Sequence, residues 1–195
     1  SGCKLELING LLIKHSASTD YNSRLISQAE KQIVFSKRIY KNIETPKVHD
    51  MKVSYFDMDY VSGQNFEEFF SIASVNDVEF VVSTLFDYFD TLISTARSFD
   101  ATNKILTKID SLKEKSSHKK YIEFLRKYVE DNRIIVPHTF CHGDLTFANI
   151  IFHKNRLFFI DFLDCYVDTF LSDLVKLKQD LHHLWACLLY TSDAA

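Results

Sequence analysis

The sequence contains no GxxxxGK run, which excludes a Walker-type phosphate loop. Its four cysteines, Cys3, Cys141, Cys165 and Cys187, show no CxxC spacing, and no basic n-region precedes an apolar h-region. A reduced, cytoplasmic setting is therefore expected, with the cysteines acting as small core hydrophobes. A zinc site on Cys141 and His142 would need a second Cys/His pair at ligand spacing, and the sequence offers none. A basic stripe is also missing: 23 Lys and Arg stand against 26 Asp and Glu, a net charge of −3, so nothing favours nucleic acid as a partner. The mild acidity suits a cationic small substrate. There is no internal repeat and no low-complexity tract. What is present is a chain of 195 residues, 46% hydrophobic and 25% charged, which describes a globular protein with no membrane span. Its length fits one ordinary domain or two small lobes sharing an interface.

The chain opens on Ser1-Gly2, without Met, and runs directly into a strand pattern. The expectation is an N-terminally incomplete chain. Two apolar-rich segments then flank Asn9-Gly10, the dipeptide of a two-residue hairpin turn, and the second of them carries Lys14. A helix follows, with Leu25, Ile26, Ala29, Ile33 and Val34 at helical intervals, Ser23 as a candidate cap, and Glu30 on it. Residues 45–63 read as extended, because Pro46 disfavours helix and β-compatible residues dominate until Gly63. From Phe66 the character turns helical. The clearest helix spans residues 78–96, and the aromatics of "NFEEFF" and "LFDYFD" read as helix core rather than a ligand cage. Residues 108–120 form a polar break, and residues 120–129 a further helix with Tyr121, Ile122, Leu125, Tyr128 and Val129 inward. Two short strands around His153-Lys154-Asn155 make a second hairpin, and a last helix covers 172–185. His182 and His183 fall on a partly exposed face of it. "LLYTSDAA" (188–195) breaks the pattern and is expected to be a non-native tail. A first unit of hairpin, helix and strand (1–61) is thus followed by a mostly helical one (62–187).

The chemistry concentrates in "FCHGDLTFANIIFHKNRLFFIDF", residues 140–162. Asp144 and Asn149 lie on a loop before one strand of the second hairpin, and Asp161 ends its partner, so the turn brings Asn149 and Asp161 close together. A carboxylate and an amide are the oxygen donors that Mg²⁺ takes, alongside substrate phosphates. Asp144 stands in front of them, placed to orient or deprotonate an attacking hydroxyl.

His142-Gly143-Asp144-Leu145-Thr146-Phe147-Ala148-Asn149 resembles the H-G-D-x-x-x-x-N catalytic loop of the aminoglycoside phosphotransferase and choline kinase family, and Ile160-Asp161-Phe162 resembles its metal-binding I-D-F. The resemblance implies a two-lobed, protein kinase-like α+β fold, with an incomplete small β lobe, a mostly helical large lobe and a catalytic β-hairpin. It implies Mg²⁺-dependent transfer of the γ-phosphate of ATP or GTP to a hydroxyl of a small molecule: choline or another amino alcohol, a sugar, or an aminoglycoside. On that pattern Asp144 is catalytic, with His142 bracing its loop by hydrogen bonds. Asn149 and Asp161 hold the metal. Lys14 holds the α- and β-phosphates and is fixed by Glu30, while the backbone of Asp59, Tyr60 and Val61 contacts adenine. An Asp at position 173 supports the catalytic loop.

Plainer readings stand beside these. Lys14 and Glu30 also suit a surface strand and helix, Asp144 a turn, Asp173 a helix N-terminus, and Asp164 and Asp168 either a substrate site or solvated loops. The pattern is also incomplete: only Ser1-Gly2 stands where a phosphate-covering glycine loop belongs, Leu163 follows Asp161-Phe162 where protein kinases have Gly, and no A-P-E follows. This argues against a protein kinase and predicts that the chain by itself binds nucleotide poorly. The alternatives are a non-catalytic nucleotide or metabolite binder on the same scaffold and, less favoured for want of ligands, a metal-dependent hydrolase using His142 and Asp144.

Overall fold

Asn9 and Gly10 both adopt positive φ, 52° and 81°, and turn the chain between β1 (Cys3–Ile8) and β2 (Leu11–Ser16) as the sequence predicts. This hairpin opens the computed structural model of the protein, which describes residues 2–113 and 115–183. The expected tail at 188–195 and the end of the last helix lie outside the described residues.

Helix α1 (Asn22–Ser36) follows a single 3₁₀ turn, so Tyr21 takes the N-cap position with no side-chain cap and Ser23 lies inside the helix. Its buried face is Leu25, Gln28, Ala29, Lys31, Gln32 and Phe35, whereas Val34 is exposed. Apolar periodicity misassigned this face because three of its six buried side chains are polar.

The extended stretch at 45–63 is two strands rather than one: β4 (Val48–Met51) turns back into β5 (Tyr55–Asp59), with Lys52 N–H donating to Tyr55 O at 2.8 Å. Together these give an antiparallel sheet in the order β1-β2-β5-β4, covered by α1 through Leu25, Ala29, Phe56 and Met58. A further strand, β3 (Ile43–Glu44), leaves this lobe and pairs in parallel with the second hairpin, Ile43 opposite Leu157.

The large lobe has helices α2 (Phe66–Ile72) and α3 (Val75–Thr95), each closed at its start by a capping box, from Asn65 with Glu68 and from Ser74 with Asp77. Then come β6 (Arg97–Asp100), α4 (Thr102–Lys113), α5 (Lys119–Asp131) and β7 (Ile135–His138). Strands β6 and β7 pair across the α4/α5 excursion, a contact between segments too far apart for local patterning to reveal. Helix α4 occupies the first half of the expected polar break. On α5 only Val129 is buried; Tyr121, Leu125 and Tyr128 are exposed, contrary to the expected inward stripe.

The hairpin of β8 (Ile150–His153) and β9 (Arg156–Phe159) forms as predicted, with Lys154 at φ 53° in its turn, and α6 (Phe170–His183) closes the described chain. The principal core joins Phe35 of α1 to Tyr88 and Leu92 of α3, Phe152, Leu157 and Phe159 of the hairpin, and Phe162 and Leu177. Phe66, Phe69 and Phe70 pack on Phe147 and Phe152, but none is fully buried: Phe66 and Phe69 flank the core and Phe70 is exposed, so the aromatic cluster of α2 lies at the core's edge.

Phe159 is fully buried, 5.3 Å from the Tyr88 ring and 5.8 Å from those of Phe35 and His142. Phe159→Ala is expected to cost ~3–5 kcal/mol in urea unfolding, because a cavity opens where the two lobes and the loop that precedes β8 meet. A loss below ~1 kcal/mol would contradict this packing.

Candidate active site

Asn149 O accepts the Ile160 N–H at 3.0 Å, which carries the β8/β9 ladder one step past its strands and sets Asn149 beside the segment that leads into Asp161. Asp161 adopts φ 59°, a left-handed conformation that an Asp side chain tolerates better than most. The chain thereby swings its half-exposed carboxylate toward the small lobe, where Oδ1 meets Lys14 Nζ at 2.7 Å. Lys14 is 3% exposed, and this contact is its only ion pair among the described residues.

The loop that precedes β8 is fastened from several sides. His142 is fully buried: Nε2 lies 2.7 Å from Ile160 O, and Nδ1 accepts the Asp144 N–H at 3.2 Å, which assigns the ring proton to Nε2. Burial pushes its pKa down to about 4, so the imidazole is neutral. Gly143 has φ 96°, and a Cβ there would come within 1.9 Å of Leu163 O, so glycine is required.

Asp173, in the first turn of α6, is completely buried. Its Oδ2 accepts the His142 N–H at 2.7 Å and the Tyr88 hydroxyl at 3.5 Å, and its Oδ1 accepts the Gly143 N–H at 2.8 Å. Desolvation outweighs these bonds and raises its pKa to about 6. Two further residues on the same face of α6 bind the loop: Lys176 Nζ lies 2.9 Å from Asp144 Oδ1, and Asp180 Oδ2 accepts the Phe147 N–H at 2.6 Å. Asn149 Nδ2 donates to Asp144 O at 2.7 Å, leaving Oδ1 as the amide's acceptor.

The structure thus assembles Lys14, His142, Asp144, Asn149 and Asp161 in one place, on two lobes. Glu30 is a difference from expectation: it is exposed on α1 and makes no ion pair with a described residue, because the helix turns Gln28, Lys31 and Gln32 inward instead. In the segment expected to read adenine, Asp59 and Tyr60 already donate their N–H groups to Lys47 O at 3.0 Å and Gly10 O at 3.3 Å. Beyond it, Gly63 lies close against Ile151 and Phe152, and Gln64 exchanges two backbone hydrogen bonds with Phe152, so the connection is clamped to the β8/β9 hairpin.

Sequence reasoning missed Lys31, Lys176 and Asp180. The last two were legible in principle, since positions 173, 176 and 180 share a helix face interleaved with apolar residues. Lys31 Nζ donates to Leu163 O at 2.6 Å and lies 3.5 Å from Asp168 Oδ1. Asp164 is exposed at the mouth of the same region.

The arrangement is that of a two-lobed kinase-like fold. Its structural relatives include the gentamicin complex of APH(2")-IIa, at TM-score 0.61 and 19% identity over 89% of this chain and 66% of that one. The ADP-bound aminoglycoside phosphotransferase APH(2'')-Ib aligns at TM-score 0.58 and 19% identity over 90% of this chain and 67% of that one. The chain therefore spans about two thirds of the length of these structures. No curated protein matches it by sequence. The model of the phosphotransferase enzyme family (APH) matches residues 86–188, just over half of the 195, and the chain belongs to that family.

Two buried groups, one on the loop and one beneath it on α6, have opposite pH signatures. Asp173 holds its proton to about pH 6 when folded against 3.8 in the open chain, so its contribution is full below about pH 4 and lost as pH rises through 6. His142 titrates at about 4 when folded against 6.5 in the open chain, so its contribution is full above pH 6.5 and lost as pH falls through 4. Each spans about 3 kcal/mol, and between pH 4 and 6 they offset one another. Asp173→Asn removes one side of this balance. Urea unfolding from pH 7 down to pH 4 should then show the variant losing about 3 kcal/mol more than wild type. Parallel curves would mean that Asp173 is ionised throughout.

Proposed function

We propose that this chain carries the nucleotide and catalytic machinery of a Mg²⁺-dependent phosphotransferase, moving the γ-phosphate of ATP or GTP to a hydroxyl of a small molecule. The observation that carries this reading is the 2.7 Å contact between Lys14 and Asp161, which joins the proposed phosphate-binding cation of one lobe to the proposed metal-binding carboxylate of the other. Charges of opposite sign, held at this distance with one partner almost fully buried, suit a site that receives a phosphate between the cation and a metal bound to the carboxylate.

In this reading residues 1–61 hold the nucleotide and residues 62–187 the metal and the acceptor. Asn149 Oδ1 and the Asp161 carboxylate are hard oxygen donors, the kind Mg²⁺ prefers, and both stand at the open end of the catalytic hairpin. The metal, when bound, neutralises charge on the transferring phosphate. Lys14 binds the phosphate oxygens, and Val61 N–H is left to read the base once Asp59 and Tyr60 are engaged within the protein. Asp144 aligns the acceptor hydroxyl and takes its proton late in transfer, and Lys176 holds its carboxylate in place. His142, neutral and saturated by two backbone bonds, positions Asp144 and exchanges no proton with substrate.

The acceptor classes that fit are aminoglycosides, amino alcohols such as choline, and sugars. Gentamicin and ADP, bound by the structural relatives, support an aminoglycoside acceptor and a nucleotide donor. An open groove of about 600 Å³ beside Gly143, Asp164 and Lys176 offers room for such a molecule. No described helix is long and apolar enough to cross a membrane.

In the full-length protein, Mg-ATP is expected to raise the thermal midpoint, and phosphate transfer should appear over a panel of aminoglycosides, amino alcohols and sugars. Asp161→Ala should lose both the shift and the turnover. Asp144→Ala should keep the shift and lose at least about a hundredfold in turnover. Activity retained in Asp161→Ala would sink the metal assignment, and a shift without transfer in wild type would favour the non-catalytic binder.

A further inference from the structure

Cys141 directly precedes the catalytic loop, and Cys165 lies four residues beyond Asp161, yet their sulfurs are 3.2 Å apart. The backbones that carry them are tied together by the Leu163 N–H donating to His142 O at 3.0 Å. Cys141 is buried, whereas Cys165 is partly exposed and lines the open groove with Gly143, Asp164 and Tyr166. We propose that Cys141 and Cys165 form an oxidisable dithiol, in which Cys165 reacts with a peroxide and Cys141 then closes a disulfide beside the catalytic loop.

The surroundings divide the two roles. The Cys141 S–H donates to the Cys165 sulfur, which pulls the Cys165 thiol down and pushes Cys141 up; burial raises both, Lys31 lowers both, and Asp173 opposes Lys31 at both thiols and Asp168 at Cys165. Cys165 is thus the sulfur whose ionisation is favoured, and it is also the accessible one. It attacks a peroxide oxygen and breaks the O–O bond, giving a sulfenic acid and hydroxide, which takes up the proton that the Cys165 thiol released on ionising and becomes water. The Cys141 sulfur then attacks Cys165 sulfur, the S–O bond breaks, and the departing hydroxide leaves as water with the Cys141 proton. The two sulfurs together give two electrons to the peroxide, which ends as two waters.

A metal is the competing occupant, because ligand atoms of Cys141, Cys165 and Asp168 lie within 4.8 Å of one another. Lys31 opposes it: its ammonium is 3.9 Å from Cys141 Sγ and 3.5 Å from Asp168 Oδ1, so a cation would have to displace a buried like charge. Closing the disulfide draws the sulfurs to about 2.05 Å and needs only a shift of about 1 Å. The shift would take place beside Gly143, where even an added Cβ would stand 3.0 Å from Cys165 Sγ.

The inference is independent of the phosphotransferase reading, because its readout is thiol chemistry. Hydrogen peroxide is added to the whole chain, remaining thiols are alkylated under denaturing conditions, and peptides are mapped by mass. The expected result is a joined Cys141–Cys165 peptide pair, reversed by dithiothreitol, formed at least about tenfold faster than Cys3 is oxidised. Cys165→Ser, a change at a partly exposed position, should leave Cys141 alkylatable through the same exposure. Recovery of Cys141 and Cys165 as separate alkylated or sulfinic peptides in wild type would overturn the proposal. So would oxidation of Cys141 in Cys165→Ser at the wild-type rate.

Discussion

The carboxylate of Asp173, sealed inside the large lobe, is the constraint on which the site depends. A loop that breaks away from a sheet leaves backbone N–H groups without strand partners, and buried donors of that kind must be satisfied. Asp173 accepts two of them, from His142 and Gly143, with one oxygen each. Because Asp173 stands in the first turn of α6, the loop is aligned by a rigid element. Lys176 and Asp180 on the same face hold Asp144 and the Phe147 N–H, so one helix sets the loop at three points.

The fastening forces further features. Gly143 can have no side chain, since the loop presses against Leu163 O. His142 fills the space beneath and spends both ring nitrogens on backbone, at Ile160 O and the Asp144 N–H, so the two arms of the site move as one body. A neutral buried imidazole and a buried carboxyl with a raised pKa sit side by side. Their opposite titrations make the loop less sensitive to acid than either group would be alone.

Helix α1 performs a comparable service between the lobes. Leu25 and Ala29 face the small sheet, Phe35 enters the large core, and Lys31 reaches Leu163 O beside the segment that follows Asp161. Lys14 crosses the same gap from β2 to Asp161. Two lysines of the small lobe therefore end on the chain that runs from Asp161 to Asp168, one on each side of Phe162. The interface between lobes is polar at its centre and aromatic around it.

The sequence by itself determined what depends on near neighbours. Asn9-Gly10 specifies its hairpin because positive φ is a local requirement that these two residues meet readily. The spacing of Asp144, Asn149 and Asp161 locates the site because a single hairpin separates them. Tertiary structure alone decided the rest: the parallel pairing of Ile43 with Leu157, the β6/β7 pairing across two helices, and the choice of Asp161 over Glu30 as the partner of Lys14. The physical reason is the same in each case. A buried polar side chain such as Lys31 or Gln32 looks like a surface residue in the sequence, and only the arrival of a distant acceptor makes its burial favourable. Periodicity records where apolar groups go, whereas polar pairing across the lobes is settled by the packing that brings the partners together.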